Sequence, residues 1–246
     1  MIQTALVTGA ASGLGNIIAT HLLQQGFQLV LTDVNLQRVQ QAAHLLDSHG
    51  DRVLALGLDI RQVQDVEQAL AATLERFGSL EVLVNNAALT LATPVMDIKP
   101  DEFDQVLSTN LRGTFVSCQI MGRYFAERGY GRIINLASLA GQNGGTASGA
   151  HYAASKGGIL TLTKVFAREL SQSGVTVNAI APGPMDLPSV HALVPPEKLA
   201  GLLQMIPVGK LGDAEFVAQV VALLASPQAA FVTGATWDIN GGLFMR

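Results

Sequence analysis

Apolar residues fall into two alternating kinds of segment along this chain. Short runs rich in β-branched and aliphatic side chains, Thr4–Thr8, Gln28–Thr32, Arg52–Leu58, Leu80–Asn85, Gly131–Leu136, Val175–Ile180 and Thr236–Ile239, read as strands. Between them lie longer stretches whose apolar positions recur with helical period: Gly13–Gln25, Leu36–Ser48, Gln62–Phe77, Asp101–Glu127, Tyr152–Ser171 and Asp213–Ala225. Val82–Val84 and Ile133–Ile134 are apolar without alternation. Strands of that kind are buried on both faces, which calls for a parallel sheet covered by helices. The pattern therefore predicts a doubly wound α/β fold: a mostly parallel, seven-stranded sheet with helices on both faces, in a single domain spanning residues 1–246.

Two segments break the rhythm. Gly141–Gly149 is rich in Gly, Asn, Ser and Thr and joins a strand to a helix. Pro182–Pro207 carries six prolines and is too long for an ordinary connection. Both follow strand C-termini, the edge where open α/β sheets bind ligands. Residues 184–207 are accordingly expected to form a substrate lid.

Composition narrows the classes. Hydrophobic residues make up 49% of the 246 and charged residues 14%, enough apolar material for a large core. No apolar run is long enough for a membrane span, and no basic segment with a cleavage site precedes the first strand, so a cytoplasmic protein is expected. Net charge is −4 without a Lys/Arg cluster, which argues against nucleic acid. Cys118 stands alone and the five histidines show no i, i+4 pair, so neither a disulfide nor a protein-built metal site is expected.

The first strand runs into Thr8-Gly9-Ala10-Ala11-Ser12-Gly13-Leu14-Gly15, after which a helix begins. Glycines there let backbone turn tightly against a pyrophosphate, and the helix N-terminus faces the anion. Asp33 follows the second strand, 18 residues beyond Gly15. A carboxylate at this point accepts hydrogen bonds from adenosine ribose hydroxyls and repels a 2′-phosphate, which points to NAD rather than NADP. Asp59, after the third strand, is within reach of an adenine edge or serves as an ordinary helix cap.

Thr8-Gly9-x-x-x-Gly13-x-Gly15, Asn85-Asn86-Ala87, Asn110, Ser138, Tyr152-x-x-x-Lys156, Pro182-Gly183 and Asn240-Gly241-Gly242 follow in one order across the chain. The set resembles the short-chain dehydrogenase/reductase superfamily, whose fold is of the Rossmann type. The resemblance implies a catalytic tetrad of Asn110, Ser138, Tyr152 and Lys156. It implies cofactor contacts from Gly9, Ser12, Gly13, Leu14, Gly15, Asp33, Val34, Asp59, Ile60, Asn86, Ala87, Tyr152, Lys156, Pro182, Gly183 and Met185, and a homotetramer packed through the helices at Asp101–Glu127 and Tyr152–Ser171. Asn110 is expected to disrupt its helix and hold a water linked to Lys156. Two positions depart from the family pattern: Leu187 stands where a Thr often contacts the nicotinamide, with Ser189 as a possible substitute, and Ala88 replaces a Gly.

Tyr152 and Lys156 stand at i and i+4, on one face of a helix. A free phenol, with a pKa of about 10, is a poor base at neutral pH. An ammonium about 4 Å away contributes roughly 4 kcal/mol at an effective dielectric near 20, so Lys156 is expected to draw the phenol toward neutrality. Ser138 would hold the substrate oxygen against that phenol, although a strand-end Ser taken alone is more often a cap. His151, on another helix face, receives no catalytic role.

These readings converge on an NAD(H)-dependent oxidoreductase interconverting a secondary alcohol and a ketone, a small-molecule substrate. The alternative is an NADPH-dependent 3-oxoacyl-thioester reductase, which the overall sequence also resembles. Ser12 in place of the Arg of many NADP-preferring relatives, and Ser173 in place of the basic residue of carrier-protein reductases, weigh against it. A non-catalytic NAD-sensing module would be expected to have lost a tetrad member, and dehydratases or epimerases sharing Tyr-x-x-x-Lys are usually longer. The lid segment offers Met185, Leu187, Val190 and Leu202 but no Arg, which suits an uncharged, partly apolar substrate.

Overall fold

The computed structural model describes residues 2–145, 148–193 and 196–245. Seven strands, β1 (Thr4–Thr8), β2 (Gln28–Asp33), β3 (Val53–Gly57), β4 (Val82–Asn85), β5 (Gly131–Leu136), β6 (Val175–Pro182) and β7 (Thr236–Ile239), pair in the order 3-2-1-4-5-6-7. Every pairing is parallel, from Thr4 opposite Gln28 to Pro182 opposite Ile239. Strand direction fixes which side chains face which layer, and the period of two divides each apolar run between two cores. Ala5, Val7, Val82, Val84, Ile134 and Leu136 pack with Ile18 and Leu22 of α1 (Gly13–Gln24) and Val217 and Val221 of α10 (Ala214–Ala225). Leu6, Leu83 and Ile133 face the other way, onto Val66 of α3 (Val63–Phe77), Met121 and Phe125 of α5 (Gly113–Arg128), and Ala167 of α7 (Ala150–Leu170). An uninterrupted apolar run is thus what a strand needs when helices cover both faces.

Local signals explain several boundaries. Asn35 caps α2 (Leu36–Leu46), its side chain accepting from the Arg38 N–H, and Asp213 caps α10 through the Glu215 N–H. Helices α3 and α5 end at left-handed Gly78 and Gly129.

The structure departs from the sequence expectation in three places. The single helix expected over Asp101–Glu127 is α4 (Pro100–Leu107) and α5, joined by a π-turn at Ser108–Arg112 that contains Asn110. The Gly141–Gly149 segment is entered by a short helix, α6 (Ala140–Asn143). The proline-rich segment carries α8 (Pro188–Leu193) and α9 (Pro196–Met205), because Pro188 and Pro196 sit at first helical positions, where a missing N–H costs nothing. Val194 and Pro195 of that segment lie outside the described residues.

Candidate active site

The strand order reverses between β1 and β4, so the loops leaving these strands diverge and open a crevice at the sheet's C-terminal edge. The loop after β1 turns through Gly9 and Gly13, with φ of 65° and 58°. A Cβ at Gly9 would lie 2.8 Å from the Ala87 Cα, and one at Gly15 would collide with the Gly9 carbonyl and the Asn86 amide. At Gly13 a Cβ would meet nothing within 4 Å, so this face of the loop is open. Two residues staple the loop to β4. The Asn86 side-chain amide donates to the Thr8 and Gly9 carbonyls at 2.9 and 3.0 Å, and the Thr8 hydroxyl accepts from the Asn86 and Ala87 N–H groups at 3.0 Å. Asn86 therefore serves the loop's shape, and Thr8, which the sequence offered only as the first residue of the glycine motif, is its partner.

A cavity of about 300 Å³ opens beside the loop, lined by Gly9, Asp33, Val34, Asp59, Ile60, Ala87 and their neighbours. Asp33 stands at its rim, with one carboxylate oxygen accepting from the Asn35 N–H at 3.0 Å. Ser12 and Leu14 sit on the loop, Ser12 exposed with its hydroxyl 3.4 Å from Arg38 Nη2. Glycine turns, an open loop face at the start of α1 and a carboxylate at the end of β2 together fit a dinucleotide. The Asp59 carboxylate is less free than expected: Arg61 holds both oxygens at 2.7–3.0 Å and its pKa lies below the usual range for that reason.

The chemistry-bearing side chains gather on the neighbouring strand ends. Ser138 follows β5, and its hydroxyl accepts from the Ala140 N–H at 3.1 Å. The Tyr152 phenol reaches the hydroxyls of Ser138 and Thr90. Lys156, buried one turn along α7, donates to the Leu136 carbonyl at 2.5 Å, with Nζ 5.6 Å from the centre of the Tyr152 ring. Asn110 is wholly buried in the π-turn. Its Oδ1 accepts from the Leu89 N–H at 2.7 Å, and its Nδ2 donates to the Leu89 carbonyl and the Ser155 hydroxyl at 3.0 Å. The helix disruption expected at Asn110 is present, and the Ser155 hydroxyl that its side chain reaches donates in turn to the Tyr152 carbonyl.

Electrostatics corrects one expectation. Burial pushes the Tyr152 pKa above its ordinary value, with the Ser138 and Thr90 hydrogen bonds pulling it partly back. The Lys156 ammonium, 5.6 Å from the ring centre, donates to the Leu136 carbonyl, and desolvation pushes its own pKa down to about 8. Without cofactor, the phenol keeps its proton at neutral pH.

The remaining expected residues occupy the β6 end. The Pro182 carbonyl accepts from the Leu139 N–H, and Gly183, where a Cβ would lie 2.9 Å from the Asn240 Cα, donates to the Ile239 carbonyl. Met185 turns its side chain into the core beside Gly212. Leu187 packs against the same core, and the Ser189 side chain lies outside what the structure describes. Thr90 was not legible in the sequence; only the fold brings its loop over Tyr152. Among the described residues no group of three or more His, Cys, Asp or Glu side chains is arranged to hold a metal ion, and no helix is long and apolar enough to cross a membrane.

A parallel sheet in this order, a glycine loop at its switch point and hydroxyl, phenol and ammonium side chains at the same edge define a class, the dinucleotide-dependent α/β oxidoreductases. Comparison with known proteins sharpens it. A family model described as enoyl-(acyl carrier protein) reductase matches residues 9–244. The 3-oxoacyl-(acyl-carrier-protein) reductase FabG of Vibrio cholerae is 37% identical over 243 residues, 99% of this chain and 98% of that protein. The same enzyme of Escherichia coli is 35% identical over 245 residues, with 99% and 98% covered. A crystal structure of a short chain dehydrogenase from Bacillus anthracis superimposes with a TM-score of 0.90 at 30% identity, covering 99% of this chain and 97% of the other. The chain belongs to the short-chain dehydrogenase/reductase family.

Proposed function

We propose that this protein reduces a ketone to a secondary alcohol, and catalyses the reverse, with Asn110, Ser138, Tyr152 and Lys156 as its working residues. The observation that carries the proposal is the meeting of the Ser138 hydroxyl and the Tyr152 phenol at one point on the sheet edge, with the Lys156 ammonium one helical turn away. Two hydroxyls converging this way suit a carbonyl oxygen: Ser138 orients it and Tyr152 gives it a proton as the carbon is reduced. A bound nicotinamide supplies the hydride.

Two readings of the substrate remain in play, and the relatives favour the first. Curated relatives named as 3-oxoacyl-(acyl-carrier-protein) reductases support a 3-oxoacyl thioester. The second reading, a small neutral ketone, draws on Ser173 and on the apolar character of the lid proposed for residues 184–207. Kinetics with acetoacetyl-CoA, a 3-oxoacyl carrier protein and a series of neutral ketones distinguishes them. The thioesters are expected to lead in kcat/KM, and a lead for neutral ketones would reverse the order of the two readings. Turnover of none of these would reject the proposal.

Asp33 supports NAD(H) as the cofactor. Wild type is expected to prefer NADH over NADPH by about tenfold or more in kcat/KM, since a 2′-phosphate beside a carboxylate costs more than roughly 1.4 kcal/mol. Asp33→Ala should shrink that ratio, and steady-state kinetics with both cofactors is the check. A wild type that prefers NADPH would reject this assignment. The same proposal includes a cytoplasmic protein and a homotetramer, the latter supported by the exposed Phe103, Phe115 and Val165 on α4, α5 and α7.

A further inference from the structure

His151 is fully buried beside Tyr152, and its two ring nitrogens have different partners. The Tyr152 backbone N–H lies 2.8 Å from Nδ1, and Glu102 Oε1 lies 2.9 Å from Nε2. A backbone N–H can only donate, so Nδ1 is unprotonated and accepts; the neutral ring's proton is on Nε2, donated to the Glu102 carboxylate. The bond to Tyr152 fills a gap in the helix. Helix α7 starts at Ala150 after Gly149, which offers no side-chain cap, and the Tyr152 N–H is among the first-turn donors that lack an intrahelical acceptor.

The surroundings are shaped for this ring. A Cβ at Gly149 would collide with the His151 Cε1 and lie 3.0 Å from the Leu91 carbonyl, which accepts from the Gly149 N–H at 2.8 Å. Glu102, on α4, is held in turn by the Thr93 hydroxyl. The loop after β4 and helix α4 are thereby tied to the first turn of α7, the turn that carries the phenol.

We propose that His151 and Glu102 form a positioning couple for Tyr152: Glu102 fixes the imidazole as its Nε2–H tautomer, and Nδ1 then holds the Tyr152 backbone in register with Ser138. This rests on the reading that Tyr152 is the proton donor. Glu102 acts only through the ring, which gives the couple a signature distinct from general stability.

Two measurements on the full-length protein test it. Long-range ¹H–¹⁵N correlation spectra at neutral pH should show His151 protonated at Nε2 alone; a proton on Nδ1 would overturn the proposal whatever the activity. In kinetics, His151→Leu should lower kcat by about tenfold or more while KM for the cofactor stays within about twofold. His151→Asn, whose Oδ1 takes the place of Nδ1, should bring kcat back to within about threefold of wild type. Glu102→Ala should lower kcat in the wild-type background and add nothing to His151→Asn, as a shared route requires. Wild-type kcat in Glu102→Ala, or additive losses in the double variant, would overturn the couple, and both variants remain informative where His151→Leu does not fold. Failure of the underlying reading looks different: Tyr152→Phe would then turn over like wild type while the His151 tautomer is unchanged.

Discussion

Tyr152→Phe is expected to lower kcat by about 10³-fold while leaving cofactor affinity within about twofold, because a positioned general acid contributes on the order of 10²–10⁴. The phenol oxygen contacts the Ser138 and Thr90 hydroxyls, and neither belongs to the glycine loop or to the cavity beside Asp33. Removing it takes away the proton donor without touching the dinucleotide cradle. The phenylalanine ring also preserves the packing of α7 against its neighbours, so the fold should be unchanged. Single-turnover reduction and a fluorescence titration with NADH separate the two quantities. Equal turnover in variant and wild type would sink the tetrad, and a large loss of NADH affinity would mean the phenol has been misplaced.

Lys156→Met should abolish most turnover and yet make the protein more stable at pH 7. Lys156 is buried, with a pKa pushed from 10.5 to about 8 by desolvation. Between those values the unfolded chain binds a proton that the folded chain does not, so stability rises with pH across the window. Below pH 8 the wild type carries the whole penalty, about 3 kcal/mol for this shift. Loss of the hydrogen bond to the Leu136 carbonyl offsets part of the gain, leaving roughly 1–2 kcal/mol, or a few degrees in Tm. Thermal unfolding of both proteins from pH 7 to pH 10.5 is the test. The gap should narrow as pH rises, and a methionine variant less stable at pH 7 would show that Lys156 is held more comfortably than its burial implies.

The sheet was legible because parallel strands buried on both faces leave an unmistakable apolar run, and Val82–Asn85 and Gly131–Leu136 are as buried as that reasoning requires. The glycine loop and the Tyr152-x-x-x-Lys156 motif were legible as spacings, and the fold brings Ser138, Tyr152 and Lys156 to one edge. What escaped depends on partners distant in sequence. Thr8 and Asn86 matter through each other across 78 residues, and Thr90 matters because its loop folds over Tyr152. The disruption at Asn110 was expected from the resemblance alone, because one extra residue within a turn hardly disturbs the apolar rhythm of Asp101–Glu127. Prolines misled in the segment Pro182–Pro207, where Pro188 and Pro196 begin helices that a proline-rich stretch disguises as coil.

The π-turn at Ser108–Arg112 bears on how this chain tolerates change of length. One residue advances an α-helix by about 100°, so a one-residue deletion within the turn would straighten it and rotate α4 by that angle relative to α5. Val106 would leave the interior, Glu102 would swing away from His151, and Asn110 would lose the bonds that hold Leu89. The resulting helix would be more regular and the protein worse assembled. Substitutions on the exposed side of α4 are cheap by comparison, so in this segment the number of residues is constrained more tightly than their identity.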